Sequence, residues 1–250
     1  MKPYYEDGSC TIYHGDCREI LADILCLPCG GRGGRASYIG RLGAHVNGEC
    51  PDCGGTGGWP DVMVTDPPYG IDHTQGGFNG ARTGRSIVND ASTEARDTMV
   101  EVWSDRPGLV FGAPLLPPPA GTRQVLVWHK GTAAGLIGAT TGWRRDWEAI
   151  YVTGSWPART DHKSSVMSYA AARFTAKRLG HPHVKPLALM YDLLGQCPDG
   201  VILDPFMGSG TTLRAAKDLG RKAIGIEVEE RYCEIAAQRL GQEVLFGEAA

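Results

Sequence analysis

Long apolar runs are missing from this 250-residue chain. The longest uncharged stretch, Pro107 to Thr122, carries five prolines, whereas a membrane-spanning helix needs ~20 apolar residues. An excess of one charge is missing too. Lys and Arg number 25 against 28 Asp and Glu, a net charge of −3, which excludes a uniformly basic binder but not a local basic face. Met1 to Asp7 holds no apolar core of the signal-peptide kind, so a cytoplasmic protein with no membrane partner is expected. Hydrophobic residues make up 42% and charged residues 21%. That balance supports a packed core and argues against wholesale disorder. Gly is abundant instead, at 35 residues, roughly twice the ~7% of average usage.

The eight cysteines are too sparse for a secreted disulfide scaffold. Four form two close pairs, Cys26-Leu27-Pro28-Cys29 and Cys50-Pro51-Asp52-Cys53, with 20 residues between the pairs. In a reducing compartment this spacing reads as a four-thiolate metal site. Cys10, Cys17, Cys197 and Cys233 fall instead in segments that read as strands and helices. Residues 30–58 contain eleven glycines and little periodicity, so 26–58 is read as an inserted module. It cannot fold on a hydrophobic core, and a tetrahedral structural zinc on Cys26, Cys29, Cys50 and Cys53 would supply the missing stability. Its Gly-rich knuckles resemble the repeats of cysteine-rich chaperone zinc domains.

The remainder, 1–25 and 59–250, reads as one α/β domain. Strands are expected at Thr11–His14, Val62–Thr65, Leu109–Phe111, Gln124–Trp128, Glu148–Thr153, Val201–Asp204 and Ala223–Glu227. Helices are expected from Cys17 to Leu25, Glu94 to Trp103 (capped by Ser92 or Thr93), Pro186 to Leu194, Gly210 to Leu219 and Glu229 to Leu240. Residues 72–90 read as a polar loop. The alternation of strand, Gly-rich turn and helix in the C-terminal third demands a doubly wound parallel sheet.

Two strand tips carry chemistry. Asp204-Pro205-Phe206-Met207-Gly208-Ser209-Gly210-Thr211-Thr212 joins a carboxylate to a turn of small residues and a helix N-terminus, where backbone can approach a ligand. It lacks the Lys of a P-loop and the third Gly of the dinucleotide fingerprint. Glu227 follows 23 residues after Asp204 at the next strand tip, placed to accept ribose hydroxyls. At the second site, Asp66-Pro67-Pro68-Tyr69 ends an apolar strand. Its two prolines stiffen the backbone and remove donors, leaving carbonyl acceptors beside a carboxylate and an aromatic plate. That combination suits a planar base with an exocyclic amine.

Together these motifs resemble the amino-methyltransferases of nucleic acids, in particular the circularly permuted beta group of DNA methyltransferases. His14-Gly15-Asp16-Cys17, Leu126-Val127-Trp128-His129-Lys130, Trp147-Glu148-Ala149-Ile150-Tyr151, His181-Pro182-His183-Val184-Lys185-Pro186 and Gly225-Ile226-Glu227 fall in matching chain order. The resemblance implies a Rossmann-like methyltransferase sheet that binds S-adenosylmethionine and acts on double-stranded DNA with a flipped target base. Asp66, Pro67, Pro68 and Tyr69 would form the catalytic tetrapeptide. Asp204 and Lys185 would hold the methionine end of the cofactor, Phe206 and Asp16 its adenine and Glu227 its ribose, with Gly208, Ser209, Gly210 and Thr211 forming the loop. An Asp at the head of the tetrapeptide favours N6 of adenine over N4 of cytosine. An RNA or protein-amide methyltransferase and a non-catalytic DNA-binding module are the alternatives. Residues 155–185 occupy the position of a target-recognition segment. They hold six cations (Arg159, Lys163, Arg173, Lys177, Arg178, Lys185) against the single acid Asp161. The resemblance allows a homodimer and leaves a restriction endonuclease partner and the recognition sequence open.

Overall fold

The computed structural model describes residues 2–24, 38–39, 45–46, 60–70, 74–76, 82–86, 90–131, 134, 142–172, 175 and 184–242. In chain order the elements are β1 (Tyr5–Glu6), β2 (Cys10–His14), α1 (Cys17–Ile24), β3 (Tyr38–Ile39), β4 (His45–Val46), β5 (Val62–Thr65), β6 (Thr74–Gly76), β7 (Arg82–Ser86) and α2 (Glu94–Trp103). There follow β8 (Gly108–Gly112), β9 (Thr122–His129), β10 (Trp147–Thr153), β11 (Val166–Ser168), α3 (Leu187–Gln196), β12 (Ile202–Asp204), α4 (Thr211–Asp218), β13 (Ala223–Glu227) and α5 (Glu230–Gly241). Among the described residues no helix is long and apolar enough to cross a membrane.

Nine strands form one sheet in the order β1-β2-β13-β12-β5-β8-β10-β9-β11. The central run from β2 to β8 is parallel. The sheet is nevertheless mixed rather than wholly parallel, because β10 lies antiparallel between β8 and β9, and β1 is antiparallel to β2. Period-2 alternation divides the buried strands between two cores. Val62, Val64, Leu109, Phe111, Ile150 and Ile202 face one side, with Leu189, Leu193, Leu213 and Leu240 of α3, α4 and α5. Met63, Val110, Tyr151 and Leu203 face the other, with Ile20 of α1 and Met99 and Trp103 of α2. Such strands, covered on both faces, must be apolar throughout, and every residue of β5 and β8 is buried.

The course of the chain creates a crevice. From β5 it runs through α2 on one face to β8, and from β12 through α4 on the opposite face to β13. β5 and β12 are neighbours, pairing Val62 with Ile202 and Met63 with Leu203. Their C-terminal ends therefore diverge to opposite faces, the place where open α/β sheets bind ligands.

Two local expectations need correction. The described residues of 72–90 include an antiparallel pair, β6 with β7, because a ladder of backbone bonds does not require the apolar alternation absent from Thr-Gln-Gly and Arg-Thr-Gly-Arg-Ser. Of the two capping candidates, Thr93 occupies the N-cap of α2 but turns its hydroxyl to the Asp97 carboxylate at 2.8 Å, while the Ser92 hydroxyl accepts the Glu94 amide at 3.4 Å. The four module cysteines and residues 181–183 lie outside the described residues. Of the module, β3 and β4 are described and pair antiparallel.

Candidate active site

Four adjacent strands end side by side. β2 delivers Asp16, β13 delivers Glu227, β12 delivers Asp204 and β5 delivers Asp66. The Gly15 amide donates to the Glu227 carbonyl at 2.9 Å, tying the first two tips together. The Thr65 hydroxyl donates to Asp204 Oδ1 at 2.7 Å, tying the last two. Asp66 and Asp204, 138 positions apart in the chain, thus border one crevice, as the two motifs require.

The Asp204–Glu227 half is built from buried carboxylates and bent backbone. Asp204 is 2% exposed and also accepts the Phe206 amide at 3.2 Å. Burial pushes its carboxyl up to about 6, opposed by hydrogen bonds from Thr212, Thr65 and the Phe206 amide. Glu227 is 9% exposed. Its two oxygens accept the Gly208 amide at 3.0 Å and the Glu229 amide at 2.8 Å. Burial pushes it up to about 7 against those same bonds. Gly210 has φ of 75°, and a Cβ there would lie 2.8 Å from the Cβ of Ala236. The turn thus needs a left-handed residue without a side chain. Ser209 and Thr211 tie the loop to α5: Arg239 donates to the Ser209 carbonyl at 2.5 Å and reaches the Thr211 hydroxyl at 3.3 Å. Asp16 accepts from the Arg18 backbone at 2.9 Å and pairs with its guanidinium at 2.5 Å, which holds the carboxyl below the usual range.

The Asp66 half is a network of two carboxylates, two ammoniums and a phenol. Asp66 Oδ1 accepts the Tyr69 hydroxyl at 2.8 Å, and Oδ2 pairs with the Lys185 ammonium. Glu148, at the start of β10, accepts from the same Tyr69 hydroxyl at 3.0 Å, lies 3.5 Å from Lys185 and pairs with Lys130 at 2.6 Å. Tyr69 has one proton to give, so only one carboxylate can take it at a time. Burial raises Asp66 above the ordinary carboxylate range, opposed chiefly by Lys185 and reinforced by Glu148. Burial acts the same way on Glu148, but Lys185 and Lys130 overcome it and hold the carboxyl at about 2. Burial pushes the Lys185 ammonium down, but Asp66 and Glu148 outweigh it and hold the group above the ordinary lysine range. The loop after Tyr69 is fixed by the Gly70 amide donating to buried Asp90 at 2.8 Å.

Lys185, expected to hold the methionine end of the cofactor, pairs with Asp66 on the border of the same crevice. Phe206 lies two residues after Asp204 and packs against the α1–α2 core. Glu148, Lys130 and Thr65 belong to the site but were given no role in the sequence. Lys130 and Glu148 lie in two of the segments matched by resemblance, at facing ends of two strands, and Thr65 directly precedes Asp66. The basic segment also differs from its charge count. Among its described cations, Arg159 pairs with Asp161 at 2.6 Å, Lys163 pairs with Asp192 and Lys185 pairs with Asp66. Among the described residues no group of His, Cys, Asp and Glu is arranged to hold a metal ion.

A family model described as DNA methylase, of N6/N4 type, matches residues 85–238, more than half of the chain. The type II methyltransferase M.ScaI of Streptomyces caespitosus is 45% identical over 75 residues, 29% of this chain and 25% of that protein. M.HinfI of Haemophilus influenzae is 47% identical over 62 residues, 24% of this chain and 17% of that protein. These alignments span a quarter or less of the curated relatives' own length. Among solved structures, the cytosine-N4-specific PvuII DNA methyltransferase superposes with a TM-score of 0.62 at 15% identity, covering 98% of this chain and 91% of that one. M1.HpyAVI superposes with a TM-score of 0.58 at 20% identity, covering 94% and 100%. At these identities the two superpositions show a shared fold.

Proposed function

The chain belongs to the N6/N4 DNA methylase family, and from that premise we propose that it is an S-adenosylmethionine-dependent DNA methyltransferase acting on an exocyclic amine, N6 of adenine ahead of N4 of cytosine. One observation carries the reading: the catalytic and cofactor motifs, remote in sequence, border a single crevice through the Thr65–Asp204 bond. The catalytic strand precedes the cofactor strand in the chain, the order expected of the circularly permuted group.

The chain's own groups fit the cofactor. Asp204 and Glu227 are buried acceptors pushed up toward neutrality. Such carboxylates are suited to an ammonium and to vicinal hydroxyls, whose donors would replace lost hydration. The small-residue turn Gly208-Ser209-Gly210, left-handed at Gly208 and Gly210, opens directly into the N-terminus of α4 beside these carboxylates. When bound, S-adenosylmethionine supplies an electrophilic sulfonium methyl.

The target amine is a weak nucleophile because its lone pair is delocalised into the ring. Hydrogen bonds from its two N–H groups to the Asp66 carboxylate and the Pro67 carbonyl favour a tetrahedral nitrogen with a localised pair. As that nitrogen gains positive charge, the fixed Asp66 charge stabilises it. Asp66 need not be a strong base, since the methylated ammonium is itself acidic and releases its proton to water. The target must leave the duplex to reach a pocket at this depth, and the Tyr69 ring is the plate against which it would stack. Residues 155–185 are the proposed recognition segment, and the four module cysteines the proposed zinc ligands.

The decisive experiment is incubation with S-adenosylmethionine and DNA followed by nucleoside mass spectrometry. N6-methyladenine is expected. N4-methylcytosine would move the target to the other amine, and unmodified DNA from a protein that instead methylates RNA or a protein amide would overturn the reading.

A further inference from the structure

The site holds a contact that methyl transfer cannot keep. Both Asp66 oxygens are occupied, Oδ1 by the Tyr69 hydroxyl and Oδ2 by the Lys185 ammonium. An incoming amine needs one of them. Both occupants have a second acceptor within reach, and it is the same atom: Glu148 Oε2 lies 3.0 Å from the Tyr69 hydroxyl and 3.5 Å from Lys185. Glu148 is held in its charged form by Lys130.

The Lys185 nitrogen is also ringed by aromatic faces. It lies 5.6 Å from the Tyr69 ring centroid, 5.0 Å from that of Phe111 and 5.9 Å from that of Trp128. A nitrogen donor against the catalytic carboxylate, set among aromatic rings, is the arrangement that an amine on a planar base would present.

We infer that the Lys185 ammonium is a built-in stand-in for the target amine, occupying Asp66 while the pocket holds no base and passing to Glu148 as the base enters. The inference rests on the DNA methyltransferase reading above. It makes Glu148 a positioning residue that acts through Lys185. The exchange leaves no buried charge alone: Asp66 trades an ammonium for an amine, and the ammonium keeps a carboxylate. It also removes a cation from Asp66 before the target nitrogen becomes cationic, so the full carboxylate charge is available to the reaction.

The test is a double-mutant cycle between Glu148→Gln and Lys185→Met, read as kcat/KM for methyl transfer to unmethylated DNA, with thermal melts confirming the fold. Without a charged acceptor, Lys185 stays on Asp66, so Glu148→Gln should lower kcat/KM by about 100-fold. In the Lys185→Met background there is nothing to relocate, and the same change should cost less than about fivefold. Glu148→Asp should restore much of the loss. A second measurement needs no Lys185 variant. With 2-aminopurine at the target position, Glu148→Gln should bind DNA as the wild type does but show less fluorescence from an extruded base. An equal Glu148→Gln penalty in both backgrounds, or wild-type fluorescence, overturns the inference while leaving the methyltransferase reading intact. A wild-type protein that methylates no DNA overturns both.

Discussion

Glu227 is a buried carboxylate whose natural state opposes folding, and its replacement gives a two-sided test. Its carboxyl is pushed from 4.5 to about 7 by burial, despite two backbone hydrogen bonds. In the unfolded chain it ionises near 4.5, while the folded protein keeps it protonated until about 7. Glu227 therefore costs nothing below the lower value, and stability falls as pH climbs from 4.5 to 7, levelling off above. At about 1.4 kcal/mol per pH unit the loss comes to about 3 kcal/mol. Glu227→Gln removes this slope. The amide satisfies one of the two backbone donors and not both, an offset of about 1–3 kcal/mol that does not vary with pH. Urea denaturation of cofactor-free protein at several pH values should show the variant gaining on the wild type by about 3 kcal/mol between pH 4.5 and 7. Asp204 carries a slope of the same sign, but it is present in both proteins. The affinity for S-adenosylhomocysteine should move the other way, at least about tenfold weaker in the variant, because a charged acceptor for hydroxyls is gone. Parallel stability curves for the two proteins across this range would refute the assignment of Glu227 as a buried, strained acid.

Asp66→Asn should lower the methyl-transfer rate by on the order of 10²–10³-fold with little change in thermal midpoint, since it removes charge but keeps shape; near-wild-type turnover at equal concentration would contradict the assigned role. Gly210→Ala should destabilise by about 2–4 kcal/mol in denaturant titration, combining a left-handed backbone with overpacking against Ala236; a loss below about 0.5 kcal/mol would show that the turn relaxes. Metal analysis of reduced protein should find about one zinc per chain, lost in Cys26→Ser/Cys29→Ser; wild-type protein well below that stoichiometry would remove the zinc proposal.

The strands and helices were legible because buried parallel strands such as Val62–Thr65 and Ala223–Glu227 are continuous apolar runs closed by turn residues. Helix α2 was found to its end residues because apolar spacing and an acidic first turn agree there. The β6–β7 pair was illegible, since its side chains carry no alternation. So was the antiparallel placement of β10 between β8 and β9, because register is a matter of pairing over distance. The site was half legible. Asp66, Asp204 and Glu227 stand at strand ends, where local sequence marks them. Glu148 and Lys130 join the site only because β9 and β10 pair His129 with Trp147 and Trp128 with Glu148. Lys185 lies 119 positions from Asp66, and no local pattern announces their pairing. The pairing of Arg159, Lys163 and Lys185 was likewise out of reach, because a net charge says nothing about which cation already has a carboxylate.

The antiparallel β10 has a consequence for how the crevice can change. Because it runs against its neighbours, its first residues rather than its last reach the working edge of the sheet. The wall bearing Glu148 and Lys130 is thus supplied by a strand-loop-strand excursion separate from the Gly-rich turn and α4. On the function proposed above, exchanging that excursion would recut substrate choice on one side and leave the turn that handles the methyl donor on the other side untouched.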